Sequence, residues 1–223
     1  QRQMCIRDRG ATVIALPLGV STAVYLTEYG GSGRFVEAIR LAVSNLSGVP
    51  SVIFGLFGLT FFVTICGFGV SLLSGVLTLA VLALPIVINT TEAALNQVPQ
   101  AWREASLALG ANKQQTIFKI ILPAALPGIL TGNILALSRV AGETAAIMYT
   151  AAVFYTPKMG DSILDPVMSL PYHIYVLATS SVDVDATRPM QYGTACLLVL
   201  MVLGLNMVAL FIRQRAQRKI ARQ

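Results

Sequence analysis

The stretch from Leu77 to Asn89 reads LTLAVLALPIVIN, and runs of this kind recur along the chain, separated by short polar segments. A helix needs about 20 apolar residues to cross a bilayer. Five segments approach that length: residues 10–26, 46–65, 70–88, 126–154 and 193–212. In hydrocarbon every backbone N–H and C=O must find its partner within the segment, which leaves helices as the solution for separate apolar runs. The expected fold class is therefore all-α integral membrane, a polytopic helical bundle. Composition agrees: 55% of residues are hydrophobic and 12% charged, against ~25% charged in soluble domains. Mean hydropathy is +0.71.

The net charge of +6 is not gathered into one basic patch, so it does not point to nucleic acid. It is parcelled between the apolar runs and reads as topology. Arg34 and Arg40, then Arg103, Lys113 and Lys119, then Arg213, Arg215, Arg218, Lys219 and Arg222 fall on one side of the five spans. Lys158 and Arg188 are what the other side holds. The positive-inside bias puts residues 96–124 and the basic tail, 213–223, in the cytoplasm. Residues 155–192, with Asp161, Asp165, Asp183 and Asp185, become an outer loop in which 169–179 reads as a short interfacial helix. Five spans with a cytoplasmic C-terminus start outside, so a sixth, preceding span is expected. The first nine residues, QRQMCIRDR, are polar and basic, and apolar sequence begins abruptly at Gly10. They are expected to be non-native or misread, with the transmembrane domain occupying 10–212.

The insert at 96–124 has its own internal order. Pro99 suits a helix start. Ala101, Trp102, Ala105, Ala108 and Leu109 then recur at helical spacing, with Arg103 and Glu104 off that face. Gly110 stands where a left-handed C-cap belongs. Asn112 with Gln115 three residues on reads as a capping box opening a second helix, striped by Ile117, Ile120 and Ile121 and ended by Pro123. An amphipathic hairpin lying on the membrane would share these features. The further spacing is more specific: Glu104-Ala105, a glycine five residues later, and Ile120-x-Leu122-Pro123 ten residues beyond that.

One charged pair lies inside an apolar run. Arg139 and Glu143 fall within SRVAGETAA. Arg139 is eleven residues past Gly128, about 16 Å at 1.5 Å per residue. That is near the middle of a ~30 Å hydrocarbon core, where a charge costs at least about 2.5 kcal/mol. The spacing of four allows the two to pair on one helix face, and Gly142 between them leaves room for a second backbone. Two readings stay open. The pair locks helices together, or Arg139 receives a small oxyanion while Glu143 compensates it in the anion's absence. A guanidinium's planar, permanently charged fork suits the second.

Other chemistry has little support. Cys5, Cys66 and Cys196 form no CxxC pair and His173 is the sole histidine, so no metal site is expected. No aspartate lies in a span, which argues against an intramembrane protease. No G-x-x-x-x-G-K-[ST] pattern occurs, so ATP hydrolysis would come from another chain and no cofactor is expected here.

The glutamate–alanine insert resembles the EAA loop of ABC-importer permeases. GVPSVIFGLFG at 48–58, LTLAVLALPIVINTTEAALNQVP at 77–99 and LSRVAGETAA at 137–146 are, taken with it, similar to the phosphate branch of that family, the PstA type. The resemblance covers about residues 10–219. It implies a bundle of the type I ABC importer (MetI-like) kind and a six-span subunit of a phosphate importer in a bacterial or archaeal inner membrane. It implies as partners a homologous permease (PstC-type), two ATPase subunits (PstB-type) and a periplasmic phosphate-binding protein (PstS-type). Arg103, Glu104, Ala105 and Gly110 become the ATPase-coupling candidates, and Arg139, Glu143 and the adjoining Thr144 the substrate path. Ser106 departs from the motif, which has alanine there. An importer of another oxyanion, such as molybdate or sulfate, would also use an arginine. A proton-coupled anion carrier is a further rival, but it has no need of the EAA insert.

Overall fold

A computed structural model describes residues 2–31, 33–155, 162–180 and 184–220. Of the residues singled out above, Lys158, Asp161, Asp183 and Arg222 lie outside these. Among the described residues the chain is helical throughout, with one isolated parallel bridge, Ala152 to Val167.

Helix α1 is Arg2–Val24 and widens into a π turn at Tyr25–Tyr29. α2 is Arg34–Ser47, and α3 is Ser51–Gly58, continuing as a π-helical segment to Ile65. α4 spans Leu72–Asn96 and α5 Gln100–Ala108. α6, Lys113–Thr116, runs through a π turn at Ile117–Ile121 into α7, Leu122–Ala141. α8 is Ala145–Thr150, α9 Leu170–Thr179 and α10 Val184–Ile220.

Four of these stretches are long and apolar enough to cross a membrane: 4–29, 72–96, 113–141 and 186–215. The expected span at 46–65 is interrupted at Gly48–Pro50. α2 before the break is amphipathic, and the residue preceding a proline is pushed away from helical backbone. Two other boundaries differ from expectation. α1 passes Gly10 without a break, and Arg7 and Asp8 are buried within it as an ion pair of 2.7 Å. Pro123 does not end the second helix of the insert. It lies within the continuous helical stretch Lys113–Ala141, directly after the π turn, the kind of local adjustment that lets a membrane helix carry a proline.

The chain divides into two compact units, 1–15 with 49–83 and 137–207, and 16–48 with 84–136 and 208–223. In the first, small residues set helix contacts as the Ser51/Gly55 and Ser71/Gly75 spacings suggest. A β-carbon on Gly55 would lie 2.9 Å from the Ala145 carbonyl oxygen and from Ala146 Cα, so α3 crosses α8 backbone to backbone. On Gly75 it would lie 2.5 Å from the Ala151 side chain. The segment expected as an outer loop folds onto the start of α4: the amides of Leu72 and Leu73 donate to the carbonyls of Asp165 (2.8 Å) and Ile163 (3.0 Å). These bonds satisfy helix-end donors that have no partner inside the helix. The expected interfacial helix is α9, capped by Ser169, whose hydroxyl accepts from the Tyr172 amide.

The second unit is built on an apolar core of Leu26, Val36, Ile88, Leu95, Ile117 and Ile121 with their neighbours. Two of its arginines, Arg40 and Arg103, each meet a glutamate. Arg40 Nε meets Glu92 Oε1 at 2.6 Å, and its Nη2 donates to the Leu26 carbonyl. Asn89 donates to the Ser47 hydroxyl at 2.9 Å.

Candidate functional site

The helical insert forms as helix, glycine turn, helix. Pro99 is the residue just before α5, and α5 ends at Ala108. Gly110 has φ +84, a conformation that glycine adopts without a β-carbon penalty. Its amide donates to the Leu107 carbonyl, and the Ala111 amide to that of Ser106, closing the C-terminus of α5. The capping box is complete: Asn112 Oδ1 accepts from the Gln115 amide at 2.8 Å, and Gln115 Oε1 accepts from the Asn112 amide at 3.0 Å.

The departure at Ser106 has a structural use. Its buried hydroxyl is 2.8 Å from that of Thr116, so the two short helices are tied across the turn. Ser106 is the buried residue of α5; Ile117 and Ile121 bury on the other side of the turn. The apolar stripe of α5 is left uncovered: Ala101, Trp102, Ala105, Ala108 and Leu109 are all exposed, Leu109 to 89%. Phe118 adds 68% exposure on the following turn. Glu104 is exposed beside them.

Arg103 is placed differently from the other three coupling candidates. Its Nη2 and Nε donate to Glu28 Oε1 at 3.0 and 3.3 Å. Nη1 reaches the Val98 carbonyl at 2.7 Å and Nη2 the Leu95 carbonyl at 2.9 Å. The guanidinium thus satisfies carbonyls at the C-terminal end of α4 and joins α5 to the π turn after α1. This use escaped sequence reasoning, and so did Glu28. A carboxylate so close to an apolar run was the available signal.

The second candidate region lies in the first unit. α7 stops at Ala141, and α8 begins at Ala145. The expected span at 126–154, whose length already called for a tilt or a break, is broken at Gly142–Thr144, and the i, i+4 pairing of Arg139 with Glu143 does not form. Among the described residues the ion pairs are Arg7–Asp8, Arg40–Glu92 and Arg103–Glu28. Arg139 sits in the last turn of α7 and is exposed, not in mid-helix. A cation there complements the partial negative charge of the helix C-terminus. Glu143 turns the other way: its Oε1 accepts from the Ala146 amide at 3.2 Å in the first turn of α8. Thr144 is the capping residue of α8, with no side-chain cap bond of its own. A β-carbon on Gly142 would meet only its own helix's Ser138 carbonyl, at 3.9 Å, so among the described residues no second backbone approaches it. The end of α7 is held to α10 by Ser138, whose hydroxyl donates to Asn206 Oδ1. Non-helical backbone at membrane depth persists where it is buried in protein or lines a water-filled cavity. Discontinuous membrane helices are where many transporters place their binding sites.

Comparison with known proteins was consistent along nearly the whole chain. Residues 15–222 match the family described as binding-protein-dependent transport system inner membrane component. A probable ABC transporter permease protein of Bacillus subtilis, YqgI, is 35% identical over 93% of this chain and 74% of its own length. The phosphate transport system permease protein PstA of Mycobacterium leprae is 40% identical over 94% of this chain and 67% of its own. PstA 1 of Mycobacterium tuberculosis is 38% identical with the same coverage. Among solved structures, a chain of the inward-facing MetNI methionine ABC transporter aligns with a TM-score of 0.72 at 22% identity, covering 96% of this chain and 91% of that one. At that identity the likeness speaks for the fold alone, which is the MetI-like permease fold. The match across residues 15–222 and these relatives together show that the chain belongs to the binding-protein-dependent transport system inner membrane components, the non-enzymatic permease subunits of ABC importers.

Proposed function

We propose that this chain is the membrane-spanning permease subunit of an ATP-driven importer of inorganic phosphate. The observation that carries the reading is 40% identity, over 94% of this chain, to a protein named as a phosphate transport system permease. The helix break at Arg139 supports it: an exposed guanidinium with no carboxylate partner among the described residues matches the charge and fork geometry of an oxyanion. The partners of this reading are a homologous permease of the PstC type, ATPase subunits of the PstB type and a phosphate-binding protein of the PstS type. ATP is bound and hydrolysed by the ATPase alone. Its closure moves the α5–α6 hairpin, and phosphate passes Arg139, Glu143 and Thr144. Glu104, Ala105 and Gly110 serve the docking contact itself, and Arg103 holds the docking helix to α4. In this reading the hairpin and the C-terminal tail face the cytoplasm.

Uptake of radiolabelled phosphate, molybdate and sulfate by a strain lacking its own phosphate permease, expressing this chain with its partner subunits, tests the substrate. Phosphate uptake that unlabelled sulfate and molybdate do not suppress is the expected result. Uptake of either rival in place of phosphate reassigns the importer. Uptake that continues without the ATPase subunit removes it from the ABC class.

A further inference from the structure

We infer that a cavity in the second unit, lined in part by Arg213 of α10, is a binding site for a phosphate group, carried either by free inorganic phosphate or by the headgroup of an acidic phospholipid. The choice of phosphate among oxyanions rests on the proposed function; the site's preference for an anion does not. The cavity encloses about 550 Å³ between the second half of α4, the start of α5, the first half of α7 and Arg213. That is within the ~300–1,000 Å³ usual for small-molecule sites.

The lining has an unbalanced charge. Arg213 is the one ionisable residue among the lining positions, and no carboxylate faces it there. Arg40 and Arg103 of the same unit are each neutralised by a glutamate. Arg213 Nε is buried without a hydrogen-bond partner among the described residues. A buried donor left unmade is costly, and more so when it is charged. An oxyanion that accepts from the guanidinium removes that cost, and a phosphate does so through two oxygens at once. The remaining donors on the wall are the Gln97 amide and the Trp102 indole N–H. The hydroxyls of Thr90 and Thr131 commit their protons to the carbonyls of Ile86 and Pro127, at 2.7 and 2.8 Å. Their oxygens stay available to accept from a protonated phosphate. Arg139 is not among the cavity's lining residues and belongs to the other unit.

Trp102 lines the cavity and is the chain's sole tryptophan, so its emission reports occupancy. The test uses the purified full chain in nanodiscs of phosphatidylcholine. Inorganic phosphate is titrated at constant ionic strength with chloride as the balancing ion. A parallel series replaces part of the lipid with phosphatidylglycerol. A saturable change in emission with phosphate is expected if the source is the free ion, and with phosphatidylglycerol if it is the lipid. In either case Arg213→Gln weakens the apparent affinity by at least about tenfold, and Arg215→Gln does not. Ala93→Leu, which fills the cavity and leaves its charge, weakens it as well. No saturable change with either ligand, or an unaltered response in Arg213→Gln, overturns the inference. A chain that binds phosphate at Arg213 in a complex importing none would overturn the proposed function and leave this site standing.

Discussion

Arg103 and Glu104 are adjacent in sequence and do unrelated work. The Arg103 guanidinium is mostly buried and serves Glu28 and two carbonyls at the end of α4. Glu104 is exposed on the uncovered side of α5. Arg103→Ala leaves a mostly buried carboxylate and two carbonyls without this partner, and a loss of about 3 kcal/mol is expected. Arg103→Lys restores only part of it, because an ammonium cannot reproduce the planar fork. Thermal unfolding in detergent checks both. Glu104→Ala should unfold like the parent chain and instead lower the amount of ATPase that co-purifies. Around the helix break the same distinction applies. Arg139→Ala should abolish phosphate uptake at unchanged membrane abundance, since the guanidinium is exposed and forms no ion pair among the described residues. Glu143→Gln keeps an acceptor for the Ala146 amide and removes only the charge; uptake falls and stability holds. Glu143→Ala also loses that bond and about 1 kcal/mol of stability. Normal uptake by Arg139→Ala at equal abundance would take this residue out of the path.

Glycines at two helix features fail in different ways when substituted. Gly110 lies at φ +84, and a β-carbon there would meet nothing within 4 Å, so Gly110→Ala suffers backbone strain alone, about 1 kcal/mol or more. The capping box and the Ser106–Thr116 bond still hold the second helix, and the hairpin should survive with reduced ATPase retention. Gly55 has the opposite problem. Its φ is ordinary, but α8 backbone atoms stand 2.9 Å from where a β-carbon would be. Gly55→Leu should therefore separate α3 from α8 and remove the permease from the membrane. Immunoblots of membrane fractions and pull-down of the ATPase distinguish the two outcomes. Equal abundance of the Gly55 variant would show that α3 can move away from α8 without penalty.

The chain as a whole leaves two kinds of apolar surface uncovered. α10 carries Leu197, Leu200, Leu203, Met207 and Phe211 exposed along its length. This is ordinary for a helix in hydrocarbon. The α5–α6 hairpin exposes Leu109 and Phe118 on a segment that also carries Lys113, Gln114, Gln115 and Lys119. A charged segment does not suit hydrocarbon, so its apolar residues call for a protein surface. Leu109→Asp with Phe118→Ser should leave unfolding of the isolated chain within about 0.5 kcal/mol and abolish ATPase co-purification. Retained ATPase would place the docking surface elsewhere on the subunit.

The apolar runs, the hairpin and its caps were legible because each rests on local physics. Transfer of side chains to hydrocarbon is additive along a segment, and glycine at 110 or the Asn112–Gln115 pair acts over one turn of backbone. A tilt or break somewhere in the long run 126–154 was legible from its length; that α7 stops at Ala141 was not. Residues 126–154 are apolar enough to continue a helix on composition, and the break at Gly142–Thr144 is accompanied by Glu143 turning to cap α8. The inward turn of Arg103 was hidden for a related reason. Glu28 is 75 residues away in sequence, and nothing in either segment's pattern names the other. Likewise Gly55 could be assigned to a close-packed face, but not to the backbone of α8 at Ala145 and Ala146. Local patterns encode which backbone conformations and environments a segment tolerates. Which charge neutralises which, and where a tolerated helix stops, depends on groups brought together across the chain, and that is settled only when the helices pack.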